Sequence, residues 1–408
     1  MPGDLPSSVL EPRRILVRGV NWLGDAVMTT PALQRLRERF PQAHITLLTP
    51  EKLAELWLEH PAIDEVVTFG PGSSLWSVAA KLRAGQRLQG TSRGAARRFG
   101  AWGWQMAPFD LALVLPNSPR SAVEVWLARV PRRFGYARPW RNCFLTHSVP
   151  PRPGRVLLRK RSIGEIKRLT RQPAPDALHA ARSTQHASAH QLNDYLHLVG
   201  ALGANAEPLP PQLRVTPDEV RAAAAKFGLS GASTESRPIL GLNPGAEYGP
   251  AKRWPVERFV AAAREILRRT GCLWVILGGT ADLPLARTIH SALAPPSSPP
   301  APRPSALNLA GQTSLRELMA VLKLCRLLLT NDTGPMHLAA ALDTPVVVPF
   351  GSTEPALTGP GLPGDPRHQL LWSDAVCSPC FRRACPVDFR CMTGITVERV
   401  VEAVMRSV

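Results

Sequence analysis

An α/β protein with two parallel, doubly wound domains is the architecture this sequence predicts, and three observations predict it. Short apolar segments alternate with stretches of helical spacing in two separate series, one from Ile15 to Arg129 and one from Ile239 to Pro349. Between them lies Glu207-Pro-Leu-Pro-Pro211, a linker composition. The chain's 408 residues suffice for two or three domains. The domains are accordingly expected at 1–207 and 208–408, with a cleft between them.

In the first series Ile15-Leu-Val-Arg18 reads as a strand. Val27, Thr30, Leu33, Leu36 and Phe40 then recur at helical spacing, predicting a helix over 26–40. Ile45–Leu48 is a strand, Leu53–Leu58 a helix and Asp64–Phe69 a strand, and that order argues for a parallel sheet. Residues 71–107, rich in Gly, Arg and Trp, interrupt the pattern. It resumes with the all-apolar Leu111–Leu115 and a helix over Ser121–Arg129. Residues 150–188 are basic and carry no assignable structure, and His190–Leu202 reads as a helix. The second series runs strand 239–242, helix 255–269, strand 273–277, helix 281–293, helix 314–325, strand 327–330, helix 335–342 and strand 346–349. A Pro/Ser-rich loop over 295–305 interrupts it.

Hydrophobic residues make up 44% of the chain, as in globular proteins, and no apolar run reaches the roughly 18–20 residues that span a bilayer. Met1–Arg14 has no apolar core of the signal-peptide kind, so a cytoplasmic protein is expected. The net charge of +18 is concentrated in two runs. Lys81–Arg98 holds six basic residues and no acidic one, and Arg152–Arg171 holds eight against Glu165 alone. Such runs suit either an anionic partner (membrane headgroups, a phosphorylated glycolipid, nucleic acid) or plain solvation. No nucleic-acid motif accompanies them, so no nucleic-acid partner is expected.

Three loops place polar groups just past the carboxyl ends of strands, where open α/β sheets bind ligands. Gly19-Val-Asn-Trp-Leu-Gly-Asp25 lacks the Gly-x-Gly-x-x-Gly spacing of a dinucleotide site. Its Asp25, at the mouth of a helix, is either an N-cap or a general base. Asn243-Pro-Gly-Ala-Glu-Tyr-Gly-Pro-Ala-Lys-Arg-Trp-Pro255 carries Lys252 as a phosphate-pairing cation, with Gly245 and Gly249 permitting close backbone approach. Leu327-Leu-Leu-Thr-Asn-Asp-Thr-Gly-Pro-Met-His337 offers helix-start amides and the Thr333 hydroxyl to a diphosphate. Asp332 and Thr333 are otherwise caps, and His337, one turn on, is either a packed residue or part of the same site. Four of the seven cysteines, Cys377, Cys380, Cys385 and Cys391, fall within fifteen residues. In a cytosolic chain that clustering favours a structural metal or free thiols over disulfides, although the spacing is not that of a zinc ribbon.

Taken in order, Asn21-Trp-Leu-Gly-Asp25, Leu115-Pro-Asn-Ser118, Pro244 to Pro255 and Thr330 to His337 resemble glycosyltransferase family 9. The resemblance spans residues 14 to about 405. It implies a GT-B fold, two Rossmann-like domains of which the first binds the acceptor and the second the nucleotide-sugar. It implies transfer of L-glycero-D-manno-heptose from ADP-heptose to the heptosyl-Kdo-lipid A inner core of lipopolysaccharide, with inversion. It puts Asp25 in the place of the general base and Lys252 at the diphosphate. Asp332, Thr333, Gly334 and His337 take the nucleotide-sugar pocket. Asp282, after Gly278-Gly279, stands where members often carry a ribose-binding glutamate. Asn117, Ser118 and Arg120 are expected to meet the acceptor, with Arg141 a further candidate. No Asp-x-Asp pair of the metal-dependent kind is present, so no catalytic metal or cofactor is expected. Segments 71–107 and 150–188 are longer than a typical member's. One or both are expected to face the phosphate-bearing acceptor at the cytoplasmic face of the inner membrane, with Arg97 and Arg98 the cations to test. Donor selectivity separates this reading from another family 9 transferase or a GT-B-like epimerase. Salt-sensitive nucleic-acid affinity exceeding any for ADP would mark a non-catalytic protein that anchors anionic glycolipid or nucleic acid through its basic loops.

Overall fold

The computed structural model describes residues 11–84, 109–172, 189–231, 237–294 and 304–408. The described residues group into two compact units. One lies within Met1–Arg155 and Leu192–Leu209, the other within Val156–Gln191 and Pro210–Val408.

The first unit holds β1 (Arg14–Arg18), β2 (His44–Pro50), β3 (Glu65–Phe69), β4 (Leu111–Val114), β5 (Arg132–Tyr136) and β6 (His147–Val149). They form one six-stranded sheet in the order β3-β2-β1-β4-β5-β6, every ladder parallel. The second unit repeats the plan with β7 (Ile239–Asn243), β8 (Leu273–Ile276), β9 (Ala306–Asn308), β10 (Leu327–Thr330), β11 (Val346–Pro349) and β12 (Gln369–Leu371). Its order is β12-β11-β10-β7-β8-β9, again all parallel. In each sheet the chain winds outward from its first strand, then returns to wind the other way. The reversal leaves a crevice at the carboxyl ends of β1/β4 and of β7/β10.

Helices cover the sheets, and this is why the central strands read as unbroken apolar runs rather than alternating ones. Leu327, Leu328 and Leu329 are all fully buried, as are Ile15, Leu16 and Val17. The helix Val256–Thr270 lays Phe259, Ala262, Ala263 and Ile266 into the second core and stops at Gly271, whose φ of 60° suits a residue without a Cβ.

Three expectations are corrected. The helix predicted over 26–40 is two helices, Leu23–Met28 and Thr30–Arg39. Pro31 explains the break, since it has no N–H for the carbonyl of Val27 and its ring crowds that oxygen. The Thr29 and Thr30 hydroxyls donate instead to the Ala26 and Val27 carbonyls at 2.7 and 2.9 Å. Second, the predicted helix at Leu53–Leu58 is a 3-10 helix over Glu51–Trp57. Third, β5, β6, β9 and β12 were not anticipated. β5 opens with two arginines, and the other three are only three residues long, too short to display a period.

Candidate functional site

The second unit gathers most of the predicted residues at the carboxyl ends of β7 and β10. Two buried amides build this edge. Asn243 Nδ2 donates to Thr330 Oγ1 at 3.1 Å, tying the two strand ends together. Asn331 Nδ2 donates to the carbonyls of Pro244 (2.8 Å) and Gly245 (3.3 Å), while its Oδ1 accepts from the Trp254 N–H at 2.9 Å. One side chain therefore pins both ends of the loop that carries Lys252. Trp254, itself buried, adds a bond from its indole N–H to the Ile395 carbonyl at 3.0 Å.

Within that loop Lys252 Nζ donates to Asp332 Oδ2 at 2.6 Å, with both side chains largely buried. The same carboxylate oxygen accepts from the Thr353 hydroxyl at 2.5 Å. Tyr248 lies beneath Lys252, the ammonium 5.0 Å from its ring centre, and its hydroxyl donates to the Phe381 carbonyl at 2.8 Å. Gly249 is required here. Its φ is +148°, and a Cβ would stand 2.5 Å from the Arg383 carbonyl oxygen that accepts from the Ala251 N–H.

Thr333 occupies the N-cap position of the helix Gly334–Ala341, yet its hydroxyl makes no capping bond. The helix thus presents its first amides and a free-standing cap at the end of β10, beside a cation, which is how α/β sheets receive phosphate. His337 is buried, and burial pushes its imidazole down to about 4. Asp332 pulls it upward, while His190 and Lys252 add to the depression. His337 is therefore a neutral, packed member of the site. An unfolded chain would protonate it near pH 6.5, so the native state refuses a proton that the unfolded state takes up. Stability is lost as pH falls from about 6.5 toward 4, and His337→Gln should flatten that loss by up to about 1.4 kcal/mol per pH unit. Denaturant unfolding across that window checks it.

Asp282 sits across the loop after β8. Its Oδ2 accepts from the Gly279 N–H at 3.0 Å, and its Oδ1 lies 3.9 Å from Arg253. A Cβ on Gly245 would fall 2.3 Å from the Asp282 carboxyl carbon, so that glycine makes room for the carboxylate. The structure thus brings Lys252, Asp332, Thr333, Gly334 and His337 together, with Asp282 on the far side of Gly245.

In the first unit Asp25 is half-buried at the third position of the helix Leu23–Met28, whose N-cap is Trp22. The capping alternative for Asp25 is thereby removed. In the same unit the buried Arg18 donates to the buried Glu124 at 2.7 Å and to Asn21 Oδ1 at 3.0 Å, with its guanidinium over the Phe69 ring. Asn117, Ser118 and Arg120 are exposed after β4. The Ser118 hydroxyl caps the helix Pro119–Leu127, accepting from Ser121 N–H at 3.3 Å. Arg120 donates to Glu124 at 2.9 Å and to the Ser73 carbonyl. Arg141 is fully buried and pushed down to about 10 by burial and by Arg138.

The four clustered cysteines are free thiols. Burial, reinforced by their mutual proximity, raises Cys377, Cys380 and Cys391, the last to about 12. Among the described residues no group of three or more His, Cys, Asp or Glu is arranged to hold a metal ion, so the structural-metal reading of this cluster is not supported. Its loop has a different relation to the site, invisible in sequence. Cys380 and Phe381 N–H groups donate to the Ser352 carbonyl at 3.0 and 2.7 Å, next to Thr353, while Arg383 holds the Ala251 amide. Of the basic segments, 85–107 with Arg97 and Arg98, and 173–188, lie outside the described residues. In the described part Arg152 and Arg155 pair with Asp194, and Arg159 with Glu165. No helix among the described residues is long and apolar enough to cross a membrane.

Comparison with known proteins adds four findings. Residues 170–389 match glycosyltransferase family 9 (heptosyltransferase). The chain is 30% identical to the lipooligosaccharide heptosyltransferase 2 of Haemophilus ducreyi, over 85% of this chain and 86% of that protein. Among solved structures, E. coli ADP-heptose lipopolysaccharide heptosyltransferase II superposes with a TM-score of 0.68 at 25% identity, covering 96% of this chain and 98% of that one. A glycosyltransferase family 9 structure from Veillonella parvula superposes with a TM-score of 0.70 at 22% identity, covering 97% and 96%.

Proposed function

The chain belongs to glycosyltransferase family 9, and on that premise we propose that it transfers L-glycero-D-manno-heptose from ADP-heptose, with inversion, to the heptosyl-Kdo-lipid A inner core of lipopolysaccharide. Its two parallel-sheet units are those of a GT-B glycosyltransferase. The observation that carries the donor assignment is the cationic cradle: Lys252, held on Asp332, beside the uncapped start of the helix Gly334–Ala341.

In this reading the first unit takes the acceptor and the second the donor. The acceptor hydroxyl attacks the anomeric carbon of the heptose. As that C–O bond forms, Asp25 accepts the hydroxyl proton, and the bond from the anomeric carbon to the diphosphate oxygen breaks with its electron pair going to ADP. Negative charge grows on the leaving diphosphate, and Lys252 with the Thr333 and Gly334 amides is placed to stabilise it. Asp282 receives the ribose hydroxyls. The acceptor is lipid-linked, so the protein works at the cytoplasmic face of the inner membrane.

The test is turnover of ADP-heptose with a heptosyl-Kdo-lipid A acceptor, read as ADP release and a product one heptose heavier. UDP- and GDP-sugars serve as competitors. Folded protein that binds ADP but transfers only from another nucleotide-sugar would overturn the donor assignment. Retention of anomeric configuration in the product would overturn the single-displacement step.

A further inference from the structure

We infer that Arg383, on the cysteine loop, is the second cation of the donor site and forks onto the diphosphate of the nucleotide-sugar. The inference rests on the reading above that this diphosphate lies between Lys252 and the start of the helix Gly334–Ala341. The cations already described there are matched. Lys252 is held on Asp332 at 2.6 Å, and Arg253 lies 3.9 Å from Asp282. A nucleotide-sugar diphosphate is doubly charged and gains a further charge as the sugar leaves, so two neutralised pairs leave it short of positive charge.

Arg383 is the cation without a match. Its guanidinium lies 5.4 Å from the centre of the Tyr248 ring, the ring that also carries Lys252 at 5.0 Å. The residue is exposed, and among the described residues its side chain meets no carboxylate. The other arginines of its loop are spent differently. Arg382 Nε donates to the Arg161 carbonyl at 2.9 Å, and Arg390 pairs with Asp388 at 2.8 Å.

The backbone holds the root of this arginine in place. Phe381, two residues before it, has a φ of +53°, a left-handed conformation that bulky residues rarely adopt. That turn is fixed on both sides: the Phe381 N–H donates to the Ser352 carbonyl at 2.7 Å, and its carbonyl accepts from the Tyr248 hydroxyl at 2.8 Å. The Arg383 carbonyl then accepts from the Ala251 N–H at 2.9 Å, and a Cβ on Gly249 would fall 3.1 Å from the Arg383 Cβ. Arg383 is thus built against the loop that carries Lys252. A surface arginine resting on an aromatic ring is common by itself. One anchored to the donor loop, beside a cation already committed to a carboxylate, is placed for an anion. Stacking on a ring leaves a guanidinium's in-plane N–H donors free, and its planar fork gives two parallel bonds to phosphate oxygens.

Calorimetric titration with ADP and with adenosine separates the diphosphate from the nucleoside. Arg383→Gln keeps part of the stem over Tyr248 and removes the charge. It should weaken ADP binding about tenfold or more and leave adenosine within about twofold. Arg383→Lys should recover part of the loss, since a point charge replaces the fork. Arg382→Gln removes the same charge one residue away and should leave ADP binding unchanged. Added salt should weaken ADP binding less in Arg383→Gln than in the unaltered protein. With ADP-heptose, kcat/KM should fall at least as far as ADP affinity, because the contact strengthens as charge builds on the leaving group. Unchanged ADP affinity in Arg383→Gln overturns the proposal. So does an equal loss for adenosine, which would make Arg383 a brace of its loop. ADP binding that depends on Arg383, in protein that transfers no heptose, would overturn the proposed reaction and leave this contact standing.

Discussion

Asp25→Asn lowers turnover of ADP-heptose by about 10²–10⁴-fold and leaves donor affinity within about twofold. The size follows from the role, because an acceptor hydroxyl is a poor nucleophile until its proton has somewhere to go. The amide keeps the shape of the carboxylate but cannot take that proton. The fold should tolerate the change. Trp22, not Asp25, is the N-cap of the helix Leu23–Met28, so the change removes no N-cap, and the charge's interaction with the helix start is worth about 0.3–1 kcal/mol. Steady-state ADP release, calorimetric titration with donor and a thermal melt together decide the matter. Unchanged turnover would place the base elsewhere. A parallel loss of donor affinity would make Asp25 a binding residue rather than the base.

Much of this molecule is legible in its sequence, for identifiable reasons. The central strands announce themselves because both faces are covered, so Leu111–Val114 and Leu327–Leu329 carry no polar residue at all. The loops after them are legible because turn formers and a single lysine have few other uses there. What could not be read depends on partners distant in sequence. Asn331 looks like one more loop residue until its side chain is seen to reach back 87 positions to Pro244 and 77 to Trp254. Thr353 meets Asp332 only because β11 follows β10 in the sheet. The cysteine cluster reads by composition as free thiols or a structural metal, yet its loop serves the site through backbone carbonyls, which any residue type supplies. The split of the predicted helix is marked in the sequence by Pro31 alone, and the apolar spacing continues straight through it.

Lys252→Ala should cost about 10²–10³-fold in turnover, the range found when a donor aimed at developing negative charge is removed. The ammonium is already in place, largely buried over the Tyr248 ring and tied to Asp332, so the site needs no reorganisation as charge moves onto the leaving diphosphate. The difficulty is that alanine removes two things at once. Besides the catalytic cation it deprives Asp332 of its ion-pair partner, and a largely buried carboxylate left without one destabilises by about 1–3 kcal/mol. A loss of activity alone would then be open to a structural explanation. Lys252→Ala/Asp332→Asn separates the two effects. With the charge removed from both partners, and the Thr353 hydroxyl still able to donate to the Asn carbonyl oxygen, the melting temperature should recover most of what the single variant lost. Turnover should not recover, because the Lys252 cation no longer faces the diphosphate. Recovery of both would reduce Lys252 to a structural counter-ion, and the charge that meets the leaving group would have to be sought at Arg383 and among the helix-start amides of Thr333 and Gly334.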